Sequence, residues 1–299
     1  MLTPGERRPR FERVAGTTPP LKLTARDLEI LRLVAEHKFL TSRQVISLVG
    51  GSAQNVLRRL QILFLGGYLE RPRSQLEFYH NTGSRPMVYA LGRRGAGRLR
   101  RDLDLPFSRM EWCGKHKTVG RLFLDHALLV SEVMVTLELA CRRRGDVKLL
   151  SIEDSAGRQL SGTSLNRPTY RWNVKTRGGR RLGVIPDKVF AVEQSDAPPG
   201  QKRTYFFLEA DRATMPVTRR NPNQTSLSRK MEAYVATWKQ DIHRTELGIA
   251  RFRVLTVTTS SERSRSLKAA CERFKEGRGL FVCLAKETLS SSLDTLFQN

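Results

Sequence analysis

Acidic residues are scarce in this chain of 299 residues, 29 Asp and Glu against 53 Lys and Arg, for a formal charge of +24. Cysteine is scarcer, with four residues, Cys113, Cys141, Cys271 and Cys283, at no C-x-x-C spacing and near no histidine pair. That excludes a zinc site or a disulfide frame and reads as reduced thiols in a cytoplasmic protein. No stretch approaches the ~20 apolar residues of a membrane span, and the start, MLTPGERRPRFERV, lacks the apolar core of a signal peptide. A cytoplasmic location without membrane insertion is therefore expected. No G-x-x-x-x-G-K-[ST] is present, which argues against ATP-driven translocation, and no G-x-S-x-G elbow. The absence of an H-x-H triplet argues against the two-histidine nickases that use a tyrosine.

The basic excess is the first positive signal. Neutralising phosphates and releasing their counterions is its commonest use, so nucleic acid is the expected partner, and the winged-helix pattern read below makes that double-stranded DNA. An acidic membrane surface and RNA are weaker alternatives. Hydrophobic content of 39% and charged content of 27% are ordinary for globular protein, and the length allows two cores.

Residues 1–21, rich in Arg, Pro and Gly, read as a basic arm. Thr24 is placed to cap a helix over ARDLEILRLVAEH, with Leu28, Leu31 and Val34 or Ala35 on one stripe. Thr41 or Ser42 caps RQVISLV, which ends at Gly50-Gly51. Ser52 caps AQNVLRRLQILFL, which Gly66-Gly67 stops, and YLERP and MVYAL pair around a polar loop. Three short helices followed by a β-hairpin make a winged helix-turn-helix over residues 22–91. Val56, Leu60 and Leu63 would then face the core. Gln54, Asn55, Arg58 and Arg59, after Ser52, would meet the major groove, and Arg71, Arg73 and Arg85 would bracket the wing. Residues 1–110 hold 20 basic and 9 acidic residues, so both halves share the basicity.

Residues 92–117 read as a basic helix and linker; the glycines of GRRGAG close no strand of a βαβ unit. Residues 118–299 read as a second domain. It opens with a helix from Val119 to Cys141, whose apolar stripe runs through Leu122, His126, Leu129, Val130, Val133, Leu137 and Cys141. On that stripe His126 reads as a buried, hydrogen-bonded residue. Strand runs follow at VKLLSI, TYRWNV, LGVIPDKVFAV and RTYFFLEAD, then a helix from Ser226 to about Arg244. A strand FRVLTVTT, a helix through SLKAACERF and a strand LFVCLA complete it. The order gives a mixed sheet flanked by helices, so the fold class is α/β, α+β over the whole chain.

The stretch PDKVFAVEQSDAPPGQKRTYFFLEAD carries the chemistry. Alternation puts Tyr205, Phe207, Glu209 and Asp211 on one face and Phe206, Leu208 and Ala210 on the other. Two same-face carboxylates beside Asp187, at a Pro-Asp step, suit a hard divalent cation. Lys230 lies roughly 40° outside the apolar stripe Leu227, Met231, Tyr234, Val235, Trp238, Ile242, at 100° per residue. Tyr234 reads as core. Glu153 and Asp154 end the first strand and are weaker candidates for a water-mediated contact.

Asp187 followed 22 positions later by Glu209 resembles the PD-(D/E)xK nucleases of the restriction-endonuclease-like fold. The third position departs, since Glu209-Ala210-Asp211 carries Asp where that family usually has Lys. The resemblance implies Asp187, Glu209 and Asp211 around Mg²⁺ or Mn²⁺, with Lys230 on phosphate or water. Taken together, TARDLEILRLVAEHKFLTSRQV, MVYALGRRG, DHALLVSEVMVTLELA, PDKVF, FFLEADR and KMEAYVATWK resemble the replication-relaxation family of plasmids and mobile elements and the related C-class conjugative relaxases. That likeness implies an origin-binding winged helix joined to a nuclease-like domain that nicks one strand, with other replication or conjugation proteins as partners. The rival expectation is a non-catalytic initiator, mobilisation accessory or transcriptional regulator on a degenerate nuclease fold.

Overall fold

The computed structural model describes residues 10–13, 21–78, 85–103, 119–151, 170–176, 179–198, 202–214, 227–292 and 296. Most of the arm, residues 79–84 of the hairpin loop and residues 104–118 of the linker lie outside them. The fold is mixed α+β in two compact units, Met1–Glu132 and Val133–Asn299.

In the first unit, local capping chemistry fixes the helices. Thr24 and Asp27 form a reciprocal capping box at the start of α1 (Ala25–His37), and Thr41 and Gln44 form another at α2 (Ser42–Val49). The Ser52 hydroxyl accepts from the Asn55 N–H to start α3 (Ala53–Leu65), which ends at Gly66. Their apolar faces meet: Ile30, Leu31, Leu33 and Val34 of α1 and Val56, Leu60 and Leu63 of α3 are buried. Each such side chain contributes about 1.5–3 kcal/mol by leaving water. Strands β1 (Phe39–Thr41), β2 (Leu69–Glu70) and β3 (Val88–Leu91) form an antiparallel sheet in the order β1-β3-β2. β2 and β3 are the expected hairpin; β1 is a third strand that three residues of sequence do not announce. In the hairpin loop the Gln75 amide takes a strand's place, accepting from the Val88 N–H at 2.8 Å and donating to the Val88 carbonyl at 3.0 Å.

Two glycines of GRRGAG, Gly92 and Gly95, have a packing role. A Cβ at Gly92 would lie 2.4 Å from the Gly67 carbonyl oxygen, and one at Gly95 2.3 Å from that of Tyr68. Their bare backbone lets α4 (Arg93–Leu103) close onto the turn after α3. Helix α5 (Arg121–Arg144) follows, and the division between the units falls within it. Leu124 and Ala127 pack on Phe39, Val88 and Ala90. Leu122, expected in the buried stripe, is 69% exposed. It sits about 200° round the helix from Leu124, and only the Leu124–Ala127 side meets the sheet there. His126 is half-buried.

The second unit is built on five strands, β4 (Val147–Ser151), β7 (Lys188–Gln194), β8 (Arg203–Asp211), β9 (Phe252–Thr258) and β10 (Phe281–Ala285), in the order β10-β9-β8-β7-β4. β7 runs antiparallel to both β4 and β8, whereas β8, β9 and β10 are parallel. The parallel steps need crossovers, and helices supply them: α6 (Leu227–Lys239) with α7 (Ile242–Thr245), then α8 (Ser261–Glu272). The run LGVIPDKVFAV is not one strand. It breaks at Ile185-Pro186-Asp187, where proline offers no N–H to a ladder. Its first part, β6 (Arg181–Val184), pairs with β5 (Trp172–Lys175) in a separate two-stranded sheet. The helix expected to reach Arg244 also breaks, at Asp241, whose φ is 53°. Trp238, expected in the core, is 37% exposed at that break and stacks on His243 at 4.8 Å. Trp172, Val184, Phe207, Tyr234 and Phe252 form the core on one face of the sheet. Among the described residues no helix is long and apolar enough to cross a membrane.

Candidate functional site

The alternation of β8 holds. Phe207 packs on Tyr234, with ring centroids 5.8 Å apart, and Glu209 and Asp211 continue the same face toward the strand's end. Lys230 and Tyr234, one turn apart on α6, both reach down onto Glu209. The Lys230 ammonium donates to Glu209 Oε2 at 2.5 Å and the Tyr234 hydroxyl to Oε1 at 2.6 Å. Asp187 straps the start of β7 to β8: its N–H donates to the Leu208 carbonyl at 3.0 Å, and its Oδ2 accepts the Ala210 N–H at 2.7 Å.

Asp211, the third acid of the expected set, is held elsewhere. Its carboxylate receives Arg263 of α8 at 2.8 and 3.4 Å and the Thr258 hydroxyl at 3.1 Å. Among the described residues no three His, Cys, Asp or Glu side chains converge to hold a metal ion. The expected trio is therefore reduced to a pair of acids and a lysine. Glu153 and Asp154 lie outside the described residues.

Electrostatically the cluster sets buried carboxylates against the Lys230 ammonium. Burial pushes the Glu209 carboxyl up, and the Asp187 carboxylate adds to that, against the pull of Lys230 and the Tyr234 hydroxyl. For Lys230, burial pulls down, but the charges of Glu209, Asp187 and Asp211 outweigh it and raise the ammonium above its ordinary value. Burial, then Glu209, holds the Tyr234 hydroxyl far above its usual range, so it stays a donor at neutral pH. Arg263 carries no sequence signal, because only the packing of α8 beside β9 brings it to Asp211.

The first unit separates the expected DNA-contacting residues into two sets. Gln54, Asn55 and Arg58 lie exposed along α3, with Leu57 44% exposed between them. Ser52 is exposed but spends its hydroxyl on the cap. Arg59 turns inward and makes a two-pronged ion pair with Asp27, at 2.9 and 2.5 Å. Burial raises Asp27, yet the bonds from Arg59 and Thr24 bring its pKa below the ordinary value. A carboxylate with no exposed side-chain area needs that counter-charge, so Arg59, itself half-buried, is committed to Asp27. Arg71 is likewise buried: it donates to the Tyr89 hydroxyl at 3.0 Å and its guanidinium lies 4.2 Å over the Phe64 ring. Arg73 is exposed and paired to Glu12 at 3.1 Å; Arg85 is exposed. Arg26, which sequence reading passed over, is exposed against Gly51 at the entry to α3.

A family model described as replication-relaxation matches residues 31–251, about three-quarters of the chain. The chain belongs to the replication-relaxation family. No curated protein and no solved structure matches it. The membership makes this a replication-related protein. In this replication-relaxation protein the matched span contains α3, Asp187, Glu209, Asp211 and Lys230, and it stops short of β9, Arg263 and β10.

Proposed function

We propose that this replication-relaxation protein grips duplex DNA through its first unit, as a winged helix, and breaks one strand at Asp187, Glu209 and Lys230 of its second. The observation that carries the reading is the Lys230–Glu209 contact at 2.5 Å beside Asp187. An acid at a strand start, an acid on the next strand and a lysine from the following helix are the parts of a PD-(D/E)xK site whose lysine has moved to α6. The five-strand order, with β7 alone reversed, supports the restriction-endonuclease-like assignment. Three capped helices followed by the β2–β3 hairpin support the winged helix, with Gln54, Asn55 and Arg58 toward the groove.

The donor set fits a hard divalent cation, Mg²⁺ or Mn²⁺. Mg²⁺ takes one or two carboxylates with substrate phosphate and water, and such a charge would offset the burial and the Asp187 repulsion that lift Glu209. Asp187 and Glu209 would hold it, and when bound it would supply charge neutralisation at the phosphate and a more acidic water. Asp211, committed to Arg263, anchors α8 and leaves the ligand set. Lys230 stays protonated and acts as a cation on a phosphate oxygen, not as a base. Tyr234 and the Ala210 N–H fix the two carboxylates in place.

The test is conversion of supercoiled plasmid carrying the cognate origin to open circles. It should require divalent metal and disappear in Asp187→Asn while duplex binding persists. No relaxation at any metal concentration would remove the nicking role. One observation favours a non-catalytic initiator, accessory protein or regulator: both oxygens of Glu209 already have donors. Under that reading Mg²⁺ or Mn²⁺ leaves the melting temperature unchanged, whereas the nicking site predicts a rise that Asp187→Asn abolishes.

A further inference from the structure

A cleft of about 480 Å³ lies along β10, the strand that ends the sheet. Its charged lining is four cations, Arg253, Lys268, Lys275 and Arg278, against one acid, Glu272. Among the described residues none of these cations has an ion-pair partner. The Arg253 Nε–H is buried without an acceptor. Burial alone lowers the Arg253 pKa, with no carboxylate opposing it. A partly desolvated guanidinium facing no anion is a poor structural element and a good oxyanion receptor, since its planar fork matches phosphate geometry.

The remaining lining is aromatic. Phe274 and Phe281 are both half-buried, with ring centroids 6.5 Å apart and planes tilted by 47°. Cations beside exposed ring faces are how phosphate and base are bound together, the charge taking the phosphate and the ring stacking the base. The volume falls within the roughly 300–1,000 Å³ of small-ligand sites. We infer that the cleft along β10 binds a nucleotide unit, through phosphate on Arg253, Lys268 and Arg278 and base against Phe274 and Phe281. The unit is a free mononucleotide or one link of a single DNA strand. The inference goes beyond the nicking site, and its readouts need neither metal nor a cut, so failure here leaves that reading untouched.

Full-length protein is titrated with a short labelled oligo-dT strand by anisotropy and with ADP by calorimetry. Lys268→Glu/Arg278→Glu is compared with Arg143→Glu/Lys148→Glu, which makes the same charge change on exposed residues of α5 and β4. The cleft pair should weaken binding at least about tenfold at low salt and flatten the salt slope by about 1.4, at ~0.7 per lost phosphate contact. The second pair should do neither. Binding of ADP identifies a free nucleotide, and binding of the strand alone a strand link; either supports the site. Binding of neither, or equal losses in both double variants, would overturn it.

Discussion

Replacing Lys230 by Met removes the ammonium from a carboxylate with almost no water around it. The Glu209 side chain is 6% exposed and that of Lys230 34%. Deleting one partner of a buried pair costs about 3–5 kcal/mol. Solvent screens the Lys230 end, which brings the expected loss to about 2–3 kcal/mol. At 2–4 °C per kcal/mol for a unit of this size, Tm should fall by about 5–10 °C. The pH dependence follows from the signs of the shifts. Burial and Asp187 already raise Glu209, and losing Lys230 raises it further. A carboxyl whose folded pKa lies above its unfolded ~4.3 costs nothing below that pH, and its penalty grows as pH climbs to the folded value. Lys230, raised in the folded state, contributes stability that is fully present below ~10.4 and lost as pH rises through its folded pKa. The deficit of the variant is therefore large at neutral and mildly alkaline pH and small near pH ~4.5. Circular-dichroism melts of both proteins at pH ~5 and ~8 measure it. Glu209→Gln/Lys230→Met should recover most of the loss, because both charges go and Tyr234 keeps an acceptor. Equal deficits at the two pH values, or a double variant no more stable than the single, would refute the reasoning.

Arg58→Ala should leave the melting temperature unchanged and weaken duplex binding by about 1–3 kcal/mol, measured by anisotropy. Its neighbour behaves oppositely: Arg59→Ala strands the buried Asp27 carboxylate and should destabilise the first unit by about 3–5 kcal/mol in urea titration. Gly95→Ala puts a methyl against the Tyr68 carbonyl, and overpacking of that kind should cost about 1–3 kcal/mol in the same titration. Burial pushes the Cys141 thiol up to about 11, so its alkylation in the folded protein should stay slow at pH ~8 and accelerate only toward that value. Fast modification at neutral pH would contradict its burial.

Local chemistry made much of the fold legible from sequence. Thr24, Thr41 and Ser52 with their partners three residues on, and the glycines after α2 and α3, marked helices whose bounds differ from expectation by at most a residue. Period-two alternation put Glu209 and Asp211 on one face of β8, and helical geometry brought Lys230 within reach of it. These are rules about residues within one or two turns of each other, so the linear chain contains them.

What lay beyond the sequence was the choice of partner. Arg58 and Arg59 are adjacent and chemically identical, yet one faces solvent and the other closes on Asp27, 32 positions away, because only the packed helices bring that carboxylate into reach. Arg71 and Asp211 find their partners in the same way, in Tyr89 and Arg263, across gaps of 18 and 52 residues. Composition and pattern alone determined a basic, two-unit α+β protein with acids at the end of a β-strand. Which charges remained available and which neutralised one another was decided by the tertiary structure, since a buried charge is stable only beside its opposite and that pairing is long-range.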